Sequence, residues 1–221
     1  GCQCGCTFCA TGQMGFHRQL TTGEIVAQIL SYQRMFADDE DRAVTNVVFM
    51  GMGEPLLNYE QTLAAVDRCV DPRGLALAPR RITLSTVGIV PGIQRLAEAP
   101  HPIKLAVSLH AATDALRSKL IPINDRYPLD DLFEALRFYT ERTGQRIFFE
   151  WLMLKGVNDS SEQAEALALR LADLPSHVNL IALNPTGQFD TEPADVEELE
   201  SFVAVLDAHN IPHTMRQRRG D

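Results

Sequence analysis

Apolar residues along the chain follow two alternating patterns. Short runs rich in Val, Ile, Leu and Phe are typical of buried strands, and they alternate with longer segments whose apolar residues recur at helical spacing. One such segment begins at Thr22, a plausible N-cap, and carries Ile25, Ile29 and Leu30. The predicted strands are residues 45–50, 81–85, 104–108, 146–154, 178–183 and 212–215. The predicted helices are residues 22–36, 59–69, 92–98, 129–142, 160–174 and 196–209.

Alternation of strands and helices favours an α/β fold with a parallel sheet. The right-handed crossover rule leaves an open barrel, a closed barrel or a wound sheet as the architecture. In parallel α/β barrels the active site lies at the C-terminal ends of the strands. A chain of 221 residues, 45% of them hydrophobic, suffices to bury the core of one domain, and we expect residues 1–221 to form it.

Three cysteines at the start of the chain indicate a metal centre. Cys2, Cys6 and Cys9 have the spacing Cys-x-x-x-Cys-x-x-Cys. Three thiolates can hold three irons of a [4Fe-4S] cluster, which normally has four protein ligands. The fourth iron then stays open to S-adenosylmethionine (SAM), which can chelate it through its amino and carboxylate groups. An electron from the cluster can break a sulfonium S–C bond and release a carbon radical, and this spacing resembles the signature of the radical SAM enzymes.

Cys4 provides a fourth thiol and leaves two alternatives open. Four cysteines could bind zinc as a closed structural site, and they could also hold a closed electron-transfer cluster. Zinc sites usually use two cysteine pairs on separate segments, because a tetrahedron requires the chain to turn back. Four cysteines in one short run fit that geometry poorly, so these non-enzymatic readings are the less favoured ones.

Polar residues collect where the predicted strands end. The first strand runs into a Gly-rich segment with Gly53, whose backbone a ligand can approach, and Glu54, whose carboxylate can accept hydrogen bonds from an ammonium group. Such residues are, taken singly, more often caps or turn residues, and a lone His110 is more often structural than a catalytic base. Their recurrence at one face favours SAM binding. The further candidates at later strand ends are Ser85, Ser108, His110 and Asn184.

The chain also resembles the radical SAM RNA adenine-C-methyltransferases along its whole length. The matching segments are residues 2–16, 50–58, 83–86, 108–111, 121–124, 157–159, 179–181, 184–185 and 218–221. The resemblance implies a partial TIM barrel of the radical SAM type, with parallel strands and outer helices. It implies cluster ligands at Cys2, Cys6 and Cys9, with a variable residue at Cys4, whose thiol we therefore expect to point away from the cluster. The SAM contacts that it implies are Gly53, Glu54, Ser85, Ser108, Leu109, His110 and Asn184.

The most similar branch of that family methylates carbon 2 of an adenine in ribosomal RNA and tRNA. The resemblance therefore implies these RNAs as substrates and an electron donor such as flavodoxin or ferredoxin. A related branch methylates carbon 8, and another radical SAM activity is a further alternative. Family members relay the methyl group through a cysteine that follows the Arg-Gly-Asp segment, and they use a second cysteine and a glutamate upstream of the cluster loop. We therefore expect the catalytic relay residues, and an N-terminal helical domain, to lie outside this chain, as in a fragment.

The charge of the chain does not by itself indicate an RNA partner. The formal net charge is −9, whereas nonspecific nucleic-acid binding depends on cationic contacts to phosphates. The pair Arg80 and Arg81 begins a strand, away from the predicted active face, and is interpreted as solvated. Several other basic residues lie near the predicted active face, where they could contact phosphates or could equally be ordinary surface charges. They are His17, Arg18, Arg216, Arg218 and Arg219.

Thiol usage and hydropathy indicate the compartment. No apolar run approaches the length of a membrane span, and no signal peptide is visible. Cysteines clustered for a metal, with only Cys69 left over in an apolar helical stretch, do not resemble a secreted disulfide framework. We therefore predict a cytoplasmic protein without membrane attachment.

Overall fold

Six parallel strands and eight helices form the described part of the chain, which a computed structural model gives as residues 1–36, 43–184, 189 and 191–216. The strands are β1 (Val47–Phe49), β2 (Ile82–Thr86), β3 (Lys104–Ser108), β4 (Ile147–Met153), β5 (Ser176–Ala182) and β6 (His213–Arg216). The helices are α1 (Ala10–Gln13), α2 (Thr22–Met35), α3 (Tyr59–Val70), α4 (Val90–Ala97), α5 (Asp114–Leu120), α6 (Leu129–Thr143), α7 (Ser161–Leu171) and α8 (Val196–Ala208).

The strands pair in their order along the chain, and every pair is parallel. The sheet curls enough that the edge strands approach each other: Nη1 of Arg216, at the end of β6, lies 3.9 Å from Sδ of Met50, the residue after β1. A curled parallel sheet with outer helices is a partial barrel, so the predicted fold class is confirmed.

The main core lies between the convex face of the sheet and the helices. Alternate strand residues such as Leu84, Leu105, Phe149 and Leu180 are buried in it, because successive side chains of a strand point to opposite faces. The other alternate residues face the concave side. In one row across this side, parallel pairing aligns Ser108, Glu150, Asn179 and Thr214. The concave side therefore combines a row of polar groups with the strand ends.

All twelve predicted strands and helices are present, with boundary shifts of a few residues. The predicted N-cap of α2 is wrong by one position: Thr21 caps this helix, accepting from the backbone N–H of Glu24, whose side chain in turn accepts from the N–H of Thr21. Helices α1 and α5 were not predicted, since both are too short for a periodic pattern.

None of the helices in the described ranges combines the length and the apolar character that crossing a membrane requires.

Candidate cofactor site

The cysteine loop is folded onto the C-terminal ends of the strands. Cys2 donates its backbone N–H to Gly15 O at 3.0 Å, which closes the loop, and Thr7 donates to Leu120 O at the end of α5, also at 3.0 Å. Cys4 and Cys6 are buried in a second apolar cluster, which also contains Leu120, Ile121, Leu152, Leu154 and Leu183. Hydrophobic packing therefore holds the three predicted cluster ligands beside the ends of β3, β4 and β5.

The thiol of Cys4 lies against that of Cys2, and its direction relative to a bound cluster stays a prediction. Cys4 is 4% exposed, and its backbone N–H lies 3.5 Å from Sγ of Cys2. A hydrogen bond between the two thiols lowers the pKa of Cys2 to about 6 and raises the pKa of Cys4. Cys2 is thus the thiol most ready to bind a metal as a thiolate.

Cys6 and Cys9 complete the predicted ligand set. Burial raises the pKa of Cys6 to about 12, and the negative charges of Cys9 and Cys2 act in the same direction, which shows that these thiols lie close enough to repel one another as anions. A bound cation would remove that repulsion. Across the described residues, no three His, Cys, Asp or Glu side chains are already arranged to hold a single metal ion.

Glu54 is the best-anchored of the predicted SAM contacts. It is 7% exposed, and its two carboxylate oxygens accept from the backbone N–H groups of Leu56 at 2.9 Å and Val87 at 2.8 Å. Burial nevertheless raises its pKa to about 7. Gly53 before it has φ 96°, a conformation that favours glycine, and its Cα faces the carbonyl of Gly1. A buried carboxylate beside the cysteine loop is suited to receive a cationic group.

The other predicted SAM contacts lie along the same rim. Ser85 and Ser108 are half-buried on the concave face, and within the described residues their hydroxyls form no hydrogen bond. Leu109 is fully buried, and its backbone donates to Glu150 O at 3.1 Å, so it contributes packing and main chain rather than a chemical group. Asn184 is exposed, two residues beyond β5.

Arg117 connects two strand ends from beneath the site. Its fully buried guanidinium donates to Val87 O at 2.5 Å, to Ser108 O at 3.1 Å and to Leu109 O at 3.1 Å. It also donates to Oδ1 of Asn124 at 2.9 Å. In the described ranges no carboxylate lies within salt-bridge distance of the guanidinium, whose positive charge lowers the pKa of Cys6 against the larger effect of burial.

The polar row on the concave face contains an unsatisfied carboxylate oxygen. Oε1 of Glu150 accepts from Nδ2 of Asn179 at 2.9 Å, and Oδ1 of Asn179 accepts from the hydroxyl of Thr214 at 2.7 Å. Oε2 of Glu150 is buried without a partner in the described part of the chain, and burial raises the pKa of this residue. A buried acceptor without a partner costs free energy, so this oxygen beside Ser108 is suited to accept from a bound ligand.

Sequence reasoning did not identify Arg117, Glu150 or Asn158 as parts of the site. Arg117 lies on α5, which Thr113 and Asp114 could have indicated as an N-cap and an acidic first turn. Asn158 belongs to a segment matched by resemblance, yet it carried no assigned role. Of the basic residues considered for RNA, Arg18 is tied to Glu24 by two bonds of 2.6 and 2.9 Å, and Arg218 and Arg219 lie outside the described residues.

Comparisons with known proteins agree with this arrangement. The family model of the radical SAM superfamily matches residues 1–168. The chain is 54% identical to dual-specificity RNA methyltransferase RlmN 1 of Myxococcus xanthus, covering 100% of this chain and 61% of the relative. It is 48% identical to a probable RlmN of Moorella thermoacetica, covering 62% of that relative. The crystal structure of a radical SAM methyltransferase from Sphaerobacter thermophilus superposes with a TM-score of 0.96 at 50% identity, covering 64% of that protein. The chain thus spans about three fifths of the length of these relatives.

Proposed function

Because the chain belongs to the radical SAM superfamily, we propose that it is the core of an enzyme that methylates carbon 2 of an adenine in ribosomal RNA and tRNA. The observation that carries this proposal is the similarity to dual-specificity RNA methyltransferases over the full length of the chain. The cysteine loop and the polar strand ends that it covers agree with such a role.

The superfamily uses a [4Fe-4S] cluster and SAM as cofactors, and the donor groups of this site fit both. Cys2, Cys6 and Cys9 would hold the cluster, since thiolates are the usual ligands of iron–sulfur clusters. Glu54 would bind the ammonium group of SAM. Together the bound cofactors supply one-electron cleavage of a carbon–sulfur bond. The further residues that would contact SAM are Gly53, Ser85, Ser108, Leu109, His110 and Asn184.

The residues of this chain have three tasks in that reaction. Arg117 fixes the carbonyl groups at the ends of β2 and β3, so the SAM contacts on both strands keep their spacing. The apolar cluster around Cys4 and Cys6 excludes water from the inner side of the loop. The concave face supplies polar groups. The methyl relay itself is assigned to residues outside residues 1–221.

The proposed partners are RNA and a small electron-transfer protein such as flavodoxin or ferredoxin, in the cytoplasm. Arg216 is half-exposed beside Met50 at the rim, with Nη2 3.8 Å from Oε1 of Glu150, and its exposed side would meet a phosphate of the RNA. Arg80 and Arg81 directly precede β2 at the opposite end of the sheet, which supports their interpretation as a solvated pair.

The proposal predicts which modified nucleoside disappears when the gene is deleted in its own organism. We expect 2-methyladenosine to be lost from both ribosomal RNA and tRNA, as measured by mass spectrometry of digested nucleosides. The full coding sequence should restore it, and a copy with Cys69→Ala should do the same, since Cys69 lies in the main core away from the loop. A copy with Cys6→Ala should restore nothing. Unchanged 2-methyladenosine in the deletion strain, or loss of 8-methyladenosine instead, would contradict carbon-2 methylation.

A further inference from the structure

His110 has a backbone conformation that few residues of its size adopt. Its φ is 57°, in the left-handed region, and only 5% of the residue is exposed. It follows β3 directly, at the rim that carries the other predicted SAM contacts. A non-glycine residue in this conformation is strained, and the surrounding structure must offset the strain. Such residues cluster at active and ligand-binding sites.

Asn158 is the residue that holds this backbone. It is fully buried, and its Nδ2 donates to His110 O at 2.8 Å and to Leu152 O at 2.7 Å. Its Oδ1 accepts from the backbone N–H of Leu154 at 2.8 Å. One amide side chain therefore connects the end of β3 to the end of β4 and fixes the carbonyl that follows the strained φ.

The same environment fixes the position of the imidazole proton. The backbone N–H of Leu152 lies 2.9 Å from Nδ1 of His110. A backbone N–H can only donate, so Nδ1 is the acceptor and carries no proton, which places the proton of the neutral ring on Nε2. Burial, with the charge of Arg117, lowers the pKa of His110 to about 3, so the ring is neutral near pH 7.

Nε2 remains available as a donor. Within the described residues it forms no hydrogen bond, although the ring is held edge-on against Phe8 of the cysteine loop, with centroids 4.8 Å apart at 81°. The ring thus lies between the cysteine loop and the ends of β3 and β4, with one nitrogen satisfied by the protein and the other unsatisfied.

We infer that Asn158 and the Leu152 amide preset His110 as a neutral Nε2–H donor, which binds an acceptor atom of SAM, and that Asn158 is a positioning residue acting through His110. This inference rests on the proposed function for the identity of the ligand. It makes His110 a binding group rather than a proton shuttle, because Nδ1 already accepts from Leu152 and the ring does not take up a second proton near pH 7.

The tautomer can be measured without any cofactor. In the chain labelled with ¹⁵N-histidine, we expect the His110 signal to show a proton on Nε2 and a bare Nδ1 at pH 7. Asn158→Ala should lose this single state, whereas Asn46→Ala, a change of the same size at an exposed position before β1, should keep it. A proton on Nδ1, or on both nitrogens, would overturn the inference.

Binding calorimetry with cluster-loaded protein tests the donor role. His110→Asn keeps an acceptor for Leu152 and tolerates a left-handed backbone, but it lacks the distal N–H. We expect it to bind SAM about tenfold more weakly, the size of one lost hydrogen bond. Asn158→Ala should weaken SAM binding by a similar factor, and the double variant should be no weaker than His110→Asn, because both changes remove the same contact.

The possible outcomes separate this inference from the proposed function. The roles of His110 and Asn158 would be overturned if His110→Asn bound SAM with wild-type affinity, or if the losses of affinity of the two single variants multiplied in the double variant. Either result would leave the proposal that the protein binds SAM intact. Failure of the cluster-loaded wild type to bind SAM would instead contradict the proposed function. Circular dichroism of each variant shows that the fold is retained, and His110→Asn alone decides the donor role if Asn158→Ala does not fold.

Discussion

Replacing any one of Cys2, Cys6 and Cys9 by alanine should abolish most of the iron bound after anaerobic reconstitution, together with the brown absorbance. Each of these thiols would hold one iron, and a cluster left with two protein ligands is poorly retained. Cys4→Ala should keep nearly all of the iron, even though Cys4 is buried against Cys2. We interpret the Cys4 thiol as a hydrogen-bond donor to Cys2, which is a cluster ligand, and not as a cluster ligand itself.

Iron and sulfide analysis of the four variants, with Cys69→Ala as the matched control, measures this directly. Cys69 is fully buried in the main core, so this control loses the same thiol at a distance from the loop. Loss of the cluster in Cys4→Ala would contradict the three-ligand proposal, because Cys4 would then occupy the position that SAM requires. Bound zinc in place of iron would favour a closed structural site.

Glu54→Gln should weaken SAM binding by about ten- to a hundredfold at pH 8 while leaving the cluster in place. The carboxylate would form a charge-assisted hydrogen bond with the ammonium group, which contributes roughly 1.5–3 kcal/mol. Because the pKa of Glu54 is raised to about 7, this charge is largely absent at pH 6 and present at pH 8. The ratio of wild-type to variant affinity should therefore increase with pH across this interval.

Calorimetry at several pH values gives the ratio of wild-type to variant affinity. The ionisation of SAM itself affects both proteins equally and cancels in this ratio. Glu134→Gln, on the exposed face of α6, is the control with the same change of charge. A ratio that stays near one at every pH would remove Glu54 from the site.

Without ligand, the folded state holds the proton of the Glu54 carboxyl more tightly than the unfolded chain does. The free energy of unfolding should therefore fall by roughly 3 kcal/mol between about pH 4.5 and about pH 7.

The fold could be predicted from the sequence because its elements are locally consistent. Strand β3, for example, has the apolar run Leu105–Val107 at its centre, and α6 has a continuous apolar stripe ended by Gly144 in the left-handed conformation. Helix α5 could not be found in this way. Seven residues give less than two turns of periodicity, and its most buried member is Arg117, a residue type that is almost always exposed.

The site could be predicted from the sequence only in part, because many of its contacts join segments that lie far apart along the chain. Positions at strand ends follow from the topology of a parallel sheet, so the sequence alone predicts Glu54, Ser85 and Ser108 at one rim. Their supporting partners come from distant segments. Asn158 reaches His110 across 48 positions, and Asn179 reaches Glu150 across 29, and no local pattern encodes such pairs. The orientation of Cys4 likewise depends on packing against Leu152 and Leu154 rather than on cysteine spacing.

The central claim is that this chain is a radical SAM core, and reductive cleavage of SAM tests it most directly. The cluster-loaded chain should be reduced with dithionite in the presence of SAM, and the products quantified by mass spectrometry. One electron and one hydrogen atom convert SAM into methionine and 5′-deoxyadenosine. We predict equal amounts of both from the wild type and neither from Cys6→Ala. A wild-type chain that holds the cluster and binds SAM, yet yields no 5′-deoxyadenosine under reduction, would contradict the account.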